Sequence, residues 1–192
     1  MTRRYSQKKL ISTFATAIVA LILWYAQSQG WLSSAGHQVV ANQPGLYTVS
    51  RFVDGDTVVV KMNGSEQKIR MIGVDTPETH KPNTPVQCYG PAAAAYTKAK
   101  LTGQSFRLVS DSLSTNYDRY GRLLRYIYLT DGTNFNQSLV ANGYGFYYPY
   151  FPFEKSQDFA AAQATAKAGN KGLWANCHPT QTDKGGWISN TQ

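Results

Sequence analysis

Cysteine and histidine are both scarce in this sequence. Two cysteines and three histidines occur among 192 residues, and no two histidines stand at a spacing typical of metal ligands, which argues against a zinc-binding module. No repeat of fixed period is present, and glycine (16) and proline (8) are near average usage, so fibrous and low-complexity classes are excluded. The length allows one compact domain with a tail.

Acidic residues are also few, with 11 Asp and Glu against 19 Lys and Arg and a formal net charge of +8. Part of this surplus lies in the first 36 residues, which contain no acidic residue and the basic residues Arg3, Arg4, Lys8 and Lys9. A surplus of this size permits a polyanionic partner such as nucleic acid, but it is also common in other soluble proteins.

The one long uncharged run, residues 10–26, follows the basic stretch 3–9. It exceeds the core of a cleaved signal peptide, about 7 to 15 residues, and only reaches the lower limit of about 17 for a membrane-spanning helix. We interpret residues 1–36 as a signal peptide or N-terminal membrane anchor and residues 37–45 as a linker. Both interpretations predict export of the remainder, secreted or anchored to the outer face of the cytoplasmic membrane. A buried core helix is the alternative.

Export bears on the two cysteines, Cys88 and Cys177. Oxidation is the expected fate of thiols outside the cytoplasm, so the sequence favours a disulfide between them. Two unpaired buried thiols are the alternative.

The domain that follows, residues 46–177, combines β-rich and helical segments. Asn63-Gly64 between two β-rich segments indicates a hairpin, and Pro91 before an Ala-rich stretch that stops at Gly103 indicates a helix. The predicted strands cover residues 47–53, 57–62, 67–74, 104–109 and 123–129, and the predicted helices cover 92–101, 137–142 and 154–168. The order βββαββαα describes an α+β fold, mainly a five-stranded OB-fold barrel with three helices. Residues 178–192 form a C-terminal tail.

Four acidic residues fall in two short runs, Asp54-Gly55-Asp56-Thr57 and Asp75-Thr76-Pro77-Glu78. Carboxylates at strand ends are oxygen ligands of the kind that Ca²⁺ and Mg²⁺ require, although each run alone is also typical of a turn. In a flat hairpin Asp75 would lie on the order of 13 Å beyond the position opposite Asp56. The two carboxylates converge only if the chain bends strongly, for which Gly73 is the candidate position.

Two arginines accompany these acidic runs. Arg70 leads into the second run, and Arg122 follows a tight turn. A planar guanidinium can bind a phosphate through two parallel hydrogen bonds and stabilise the charge that develops during attack at phosphorus. Two arginines, one cation and one free carboxylate form a working set for phosphodiester hydrolysis.

Five motifs occur in a fixed order along residues 53–174. They are Asp54-Gly55-Asp56-Thr57, Arg70-Met71-Ile72-Gly73-Val74-Asp75-Thr76-Pro77-Glu78, Tyr89-Gly90-Pro91, Asp118-Arg119-Tyr120-Gly121-Arg122 and Gly172-Leu173-Trp174. Together they resemble the staphylococcal nuclease, or thermonuclease, family. The resemblance implies an OB-fold barrel with added helices, in agreement with the predicted order of elements.

The resemblance also implies a metal site. Asp56 and Asp75 would ligate a Ca²⁺ ion through their side chains, and Thr76 would contribute its backbone carbonyl. Asp54 would support the turn or coordinate through water.

The resemblance assigns the remaining polar residues to the reaction. Arg70 and Arg122 would hold and stabilise the phosphate, and Glu78 resembles the family's general base for the attacking water. Cleavage of DNA and RNA in this family breaks the 5′ P–O bond and leaves 3′-phosphate ends, with little sequence preference.

Aromatic residues are the remaining candidates for substrate binding. Tyr147 and Tyr148 lie in the region where the family places base-stacking tyrosines, and Tyr120 lies beside Arg122. Stacking of bases on such rings is tolerant of sequence. Ordinary core packing of these rings is the alternative.

These observations predict an exported, Ca²⁺-dependent endonuclease that acts on DNA and RNA as a monomer, with the N-terminal segment contacting the membrane if it is uncleaved. A catalytically inactive OB-fold module that binds nucleic acid is the alternative. A purely structural envelope protein would leave the acidic and arginine pattern unexplained.

Overall fold

The computed structural model describes residues 18–22, 25, 45–79 and 85–191. The predicted leader and linker, with His37 and His80, lie almost entirely outside the described residues. Residues 18–22 are helical, and no helix within the described ranges is both long and apolar enough to cross a bilayer. Contacts divide the chain into two units, residues 1–39 and residues 40–192.

Nine strands and four helices make up the described part of the second unit. The strands are β1 Val49–Asp54, β2 Thr57–Met62, β3 Ser65–Met71, β4 Val74–Asp75, β5 Phe106–Val109, β6 Leu123–Leu129, β7 Phe146–Tyr147, β8 Thr180–Gln181 and β9 Trp187–Ile188. The helices are α1 Gly90–Leu101, α2 Phe135–Ala141, α3 Ser156–Ala168 and α4 Leu173–Asn176.

The first three strands form an antiparallel meander. The β2–β3 turn places Asn63 at φ 49° and Gly64 at φ 80°, the left-handed conformations that a two-residue hairpin turn of this kind requires. The register pairs Thr57 with Arg70 and Met62 with Ser65. This register matches the pairing that the Asn-Gly turn predicts.

The strands close into a barrel. The sheet has the order β1-β2-β3-β6-β5, in which β3 and β6 run parallel. Tyr47, two residues before β1, exchanges two main-chain hydrogen bonds of 2.8 and 2.9 Å with Phe106 of β5. This bridge joins the two edges of the sheet, so the predicted α+β barrel of the OB-fold class is confirmed. The observed order adds the short strands β4, β7, β8 and β9 and the helix α4.

Apolar side chains fill the barrel and the space beneath the helices. Fully buried members include Val58, Val60, Ile69, Leu108, Ile127, Leu139 and Phe159. One buried amide also crosses this region: Asn136 donates to the carbonyls of Ile72 and Arg125 and accepts from the Ile127 N–H. Asn136 thereby gives partners to main-chain groups buried beneath the helix and ties α2 to the end of β3 and to β6.

The chain end packs against the domain. Strands β8 and β9 pair as a short ribbon, and Ser189 beyond it is 2% exposed. The predicted disulfide between Cys88 and Cys177 is present. The segment after residue 177, expected as a tail, therefore has ordered pairing of its own.

Candidate active site

A sharp bend separates β3 from β4. Strand β3 ends at Met71, and Gly73 has φ +77°. A Cβ at Gly73 would lie 2.8 Å from the Phe153 ring, so both the conformation and the space require glycine. The Gly73 carbonyl accepts from the Tyr148 N–H at 3.0 Å. The bend predicted at Gly73 thus exists, and it turns Asp75 back toward the start of β2.

The Arg70 guanidinium connects the two acidic runs. Its Nη2 lies 2.7 Å from Asp75 Oδ1 and 3.1 Å from Asp56 Oδ2, so these two oxygens are separated by no more than the sum of the two distances. Its Nη1 donates to the carbonyls of Met71 and Val74 at 2.8 and 2.6 Å. The structure therefore brings Asp56, Asp75 and Arg70 together; the sequence had made the approach of the two carboxylates conditional on a strong bend and had not paired them with Arg70.

Asp56 is buried and held on both carboxylate oxygens. Oδ1 accepts from the Thr57 hydroxyl at 2.8 Å, and Oδ2 accepts from the Thr76 N–H at 2.9 Å. These contacts place the main chain of Thr76 beside the carboxylate. Within the described ranges, the Thr76 hydroxyl is a buried oxygen without a hydrogen-bond partner.

The charges of this cluster are mutually dependent. Burial would lower the pKa of Arg70, but the carboxylates of Asp56 and Asp75, with smaller contributions from Tyr148 and Glu78, raise it. Burial and the neighbouring Asp56 charge raise the pKa of Asp54, against hydrogen bonds from Gly55 and Thr79. Arg70 therefore stays cationic at the centre of an acidic group of residues.

The donor set fits a cation that prefers oxygen ligands. Two carboxylates converge, with the main chain of Thr76 beside Asp56, and carboxylate and carbonyl oxygens are the hard ligands of Ca²⁺ and Mg²⁺. Searched over the described residues alone, no group of three or more His, Cys, Asp and Glu side chains could hold a metal. A cation here would depend on carbonyl or water oxygens for its remaining ligands.

Arg122 is positioned by Asp118, to which the sequence had given no role in the site. Asp118 Oδ1 accepts from the N–H groups of Tyr120 and Arg122, and its Oδ2 accepts from Arg122 Nε at 2.5 Å. Burial would raise the pKa of Asp118, but these hydrogen bonds lower it below the ordinary 3.8. The signal was available, because an Asp that opens a turn ending in Gly121 commonly accepts from main-chain N–H groups.

Both arginines line one open cleft of about 630 Å³. Tyr120 is 68% exposed there, with the Arg119 and Arg122 guanidinium carbons 4.9 and 5.4 Å from its ring centroid. Tyr148 lines the same cleft, with Arg70 Cζ 5.9 Å from its ring. One exposed ring, Tyr120, and one half-buried ring, Tyr148, lie beside three guanidinium groups and match a surface for a polyanion with stacking bases.

Tyr147 has a different position. Its hydroxyl is 2.6 Å from Ser156 Oγ, and its N–H donates to Gln163 Oε1 at 2.9 Å. Its ring packs against Phe153, with centroids 6.0 Å apart. It is not among the residues that line the cleft, so of the three predicted tyrosines the structure places Tyr120 and Tyr148 there.

A closed barrel with paired carboxylates, two arginines and an aromatic cationic cleft defines a protein of the phosphodiester-hydrolysing class on an OB-fold. Residues 68–176 match the model of the family described as staphylococcal nuclease homologue. The chain is 41% identical over 163 residues to a thermonuclease of Staphylococcus hyicus, covering 83% of this chain and 92% of that protein.

Two further relatives carry similar names. A thermonuclease of Staphylococcus intermedius is 44% identical over 129 residues, covering 67% of this chain and 73% of that protein. Endonuclease YncB of Bacillus subtilis is 35% identical over 145 residues, covering 74% of this chain and 64% of that protein. The chain therefore belongs to the staphylococcal nuclease family, and its class is that of the nucleases.

Proposed function

We propose that this protein is an exported, Ca²⁺-dependent endonuclease that hydrolyses DNA and RNA with little sequence preference and leaves 3′-phosphate ends. The observation that carries the proposal is the convergence of Asp56 and Asp75 on one nitrogen of Arg70, at a cleft that Arg122 also lines. The names of the thermonuclease and endonuclease relatives support the same substrate class.

The metal would be held by the carboxylates of Asp56 and Asp75 and by the Thr76 carbonyl. When bound, Ca²⁺ supplies charge that polarises the phosphodiester. Asp56 is already oriented for ligation, because both of its oxygens are held by hydrogen bonds, and Asp75 is brought opposite it by the bend at Gly73.

The phosphate of the substrate would be bound by the two arginines, Arg70 and Arg122. The guanidinium groups of Arg70 and Arg122 would donate to its equatorial oxygens, where negative charge grows during attack. Arg70 would do so after its contacts with Asp56 and Asp75 give way to ligation of the cation by these carboxylates. The carboxylate of Glu78 takes a proton from the attacking water, whose oxygen forms the new bond to phosphorus. The bond between phosphorus and the 5′ oxygen breaks, and the 5′ oxygen leaves as a hydroxyl with a proton from solvent. Phosphate then remains on the 3′ oxygen.

Cleavage with and without the cation tests this assignment. Full-length protein is incubated with labelled single-stranded DNA or RNA in Ca²⁺ or in a chelator. We expect cleavage only with Ca²⁺, and product ends that a polymerising transferase extends only after phosphatase treatment. Binding without cleavage in Ca²⁺ would instead support the inactive nucleic-acid-binding module.

The role of Glu78 has a matched control in the chain. Glu78→Gln should lower kcat by about 100-fold or more, because it removes the general base, while the Ca²⁺ concentration for half-maximal activity stays the same. Glu66→Gln is the control, since Glu66 pairs with Arg51 on an exposed surface. Equal activity of the two variants would contradict the assignment of Glu78.

Export is proposed from the basic and apolar residues at the N-terminus, and the disulfide supports it because disulfides persist in oxidising compartments. Protease added to intact cells should degrade the domain while a cytoplasmic marker survives. N-terminal sequencing of the product separates the cleaved from the anchored form, and light scattering tests the proposed monomer.

A further inference from the structure

Gln87 holds the main chain of Glu78 from both sides. The Glu78 N–H donates to Gln87 Oε1 at 2.8 Å, and the Gln87 N–H donates to the Glu78 carbonyl at 2.9 Å. One residue thus satisfies both main-chain groups of Glu78, the proposed general base. Such a reciprocal pair fixes the peptide planes on either side of Glu78.

A close approach of α1 adds to this restraint. A Cβ on Gly90, the first residue of α1, would lie 2.9 Å from the Glu78 carbonyl oxygen and 3.0 Å from that of Pro77. The Gly90 N–H also donates to the Gln87 carbonyl at 3.0 Å. The start of the helix, Gln87 and Glu78 therefore form one packed unit in which only glycine fits at position 90.

The unit is anchored at its other end by the disulfide and the chain terminus. Cys88, next to Gln87, is bonded to Cys177. The Cys88 N–H donates to the Asn190 carbonyl at 2.7 Å, and the Cys88 carbonyl accepts from the Ser189 hydroxyl at 2.7 Å. Gln87 itself bridges to Thr191. The main chain at Gln87 is thus held by a covalent bond at the next residue and by a segment about 100 residues away in sequence.

We propose that Gln87 is a positioning residue for the general base: it fixes the main chain of Glu78, and the anchored Cys88 keeps Gln87 in place. The inference rests on the proposed role of Glu78. A general base works only within hydrogen-bond reach of the proton that it takes, about 2.6 to 3.2 Å, and a displacement of about 1 Å can cost 100-fold in rate. In the proposed reaction Gln87 acts through the main chain of Glu78 and has no role on phosphate or cation.

Three variants of the full-length protein test the role of the Gln87 side chain. Gln87→Met removes the acceptor at nearly constant shape, and Gln87→Glu restores an acceptor oxygen. Asn134→Ala is the matched control, since Asn134 Oδ1 also accepts a main-chain N–H, that of Gln137 at 3.2 Å, at the start of α2. We expect kcat to fall about ten-fold or more in Gln87→Met, with KM and Ca²⁺ dependence unchanged, and to recover largely in Gln87→Glu. Asn134→Ala should keep the wild-type kcat.

Combination with Glu78→Gln separates this inference from the proposed function. If Gln87 acts through Glu78, the double variant Glu78→Gln/Gln87→Met is no slower than Glu78→Gln alone. Multiplying effects would overturn the positioning role, as would wild-type kcat in Gln87→Met while Glu78→Gln is impaired. Full activity of Glu78→Gln would instead remove the proposed base and this inference with it.

A structural measurement covers the case of a poorly folding variant. Amide hydrogen exchange at Glu78 should accelerate in Gln87→Met relative to wild type, while the barrel amides of β2 and β3 keep their protection. Unchanged exchange at Glu78 would contradict the proposal, and loss of protection throughout the barrel would show that Gln87 is needed for folding and not for positioning.

Discussion

Removal of the Cys88–Cys177 disulfide should destabilise the domain by a predictable amount. The two cysteines are 89 residues apart in sequence. In the chain-entropy model, a cross-link closing a loop of this length restricts the unfolded state by about 4.6 kcal/mol at 25 °C. The hydrogen bonds of the Cys88 main chain to Ser189 and Asn190 need no sulfur, so they offset none of this loss and persist in the variant.

The perturbation is the double variant Cys88→Ala/Cys177→Ala of the full-length protein, compared with oxidised wild type in urea unfolding at neutral pH. We expect a free energy of unfolding lower by about 3 to 5 kcal/mol. The dependence on urea should become steeper, because an unfolded chain without the cross-link exposes more surface. Reduced wild type is the control and should resemble the variant.

A loss below about 1 kcal/mol with an unchanged urea slope would refute the reasoning. It would mean that the unfolded chain is already restricted between Cys88 and Cys177 without the bond. The activity of the folded variant is a separate readout, since the disulfide is one of the anchors of Gln87.

Three further predictions concern other contacts. Arg70→Lys should lower kcat by about 100-fold, because an ammonium cannot bind a phosphate through two parallel hydrogen bonds as a planar guanidinium does. Near wild-type turnover would contradict the phosphate role of Arg70. Asn136→Leu should lower the free energy of unfolding in urea by about 3 kcal/mol, because the Ile127 N–H and the Ile72 carbonyl lose a buried hydrogen-bond partner. An unchanged free energy of unfolding would mean that these two groups find other hydrogen-bond partners. Because the pKa of Asp118 is lower in the folded than in the unfolded protein, its ionised carboxylate stabilises the fold at pH values above the ordinary pKa of 3.8. This stabilisation is lost as the pH falls through the pKa of the folded state. Asp118→Asn should therefore be less stable than wild type at neutral pH, with the difference shrinking in acid, and a difference independent of pH would contradict the depressed pKa of Asp118.

Local signals in the sequence were sufficient for most of the element order. The Asn63-Gly64 turn sets the β2–β3 register, because both residues readily adopt positive φ. Proline and glycine marked the limits of α1 to within two residues. The short strands β4 and β7 escaped prediction, since two-residue pairings depend on distant partners and leave no periodic pattern.

The sequence predicted which residues make up the candidate site. The contacts between these residues were seen only in the tertiary structure. Gly73 could be named as the bend because glycine alone tolerates such a turn. Three contacts form only in the folded barrel. They are the ion pairs of Arg70 with both carboxylates, the hydrogen bond from Arg122 to Asp118 and the hydrogen bond from the Glu78 N–H to Gln87.

The sequence by itself determined which chemical groups are available: clustered carboxylates, two candidate guanidinium groups, aromatic rings and two cysteines that can pair. The tertiary structure alone decided which of them meet. It sorted Tyr148 into the cleft and Tyr147 into packing against Phe153, because neighbouring residues of an extended segment point to opposite sides. It also joined the chain end to Cys88, since contacts across about 100 residues are set by loop closure and packing, which no local window of sequence contains.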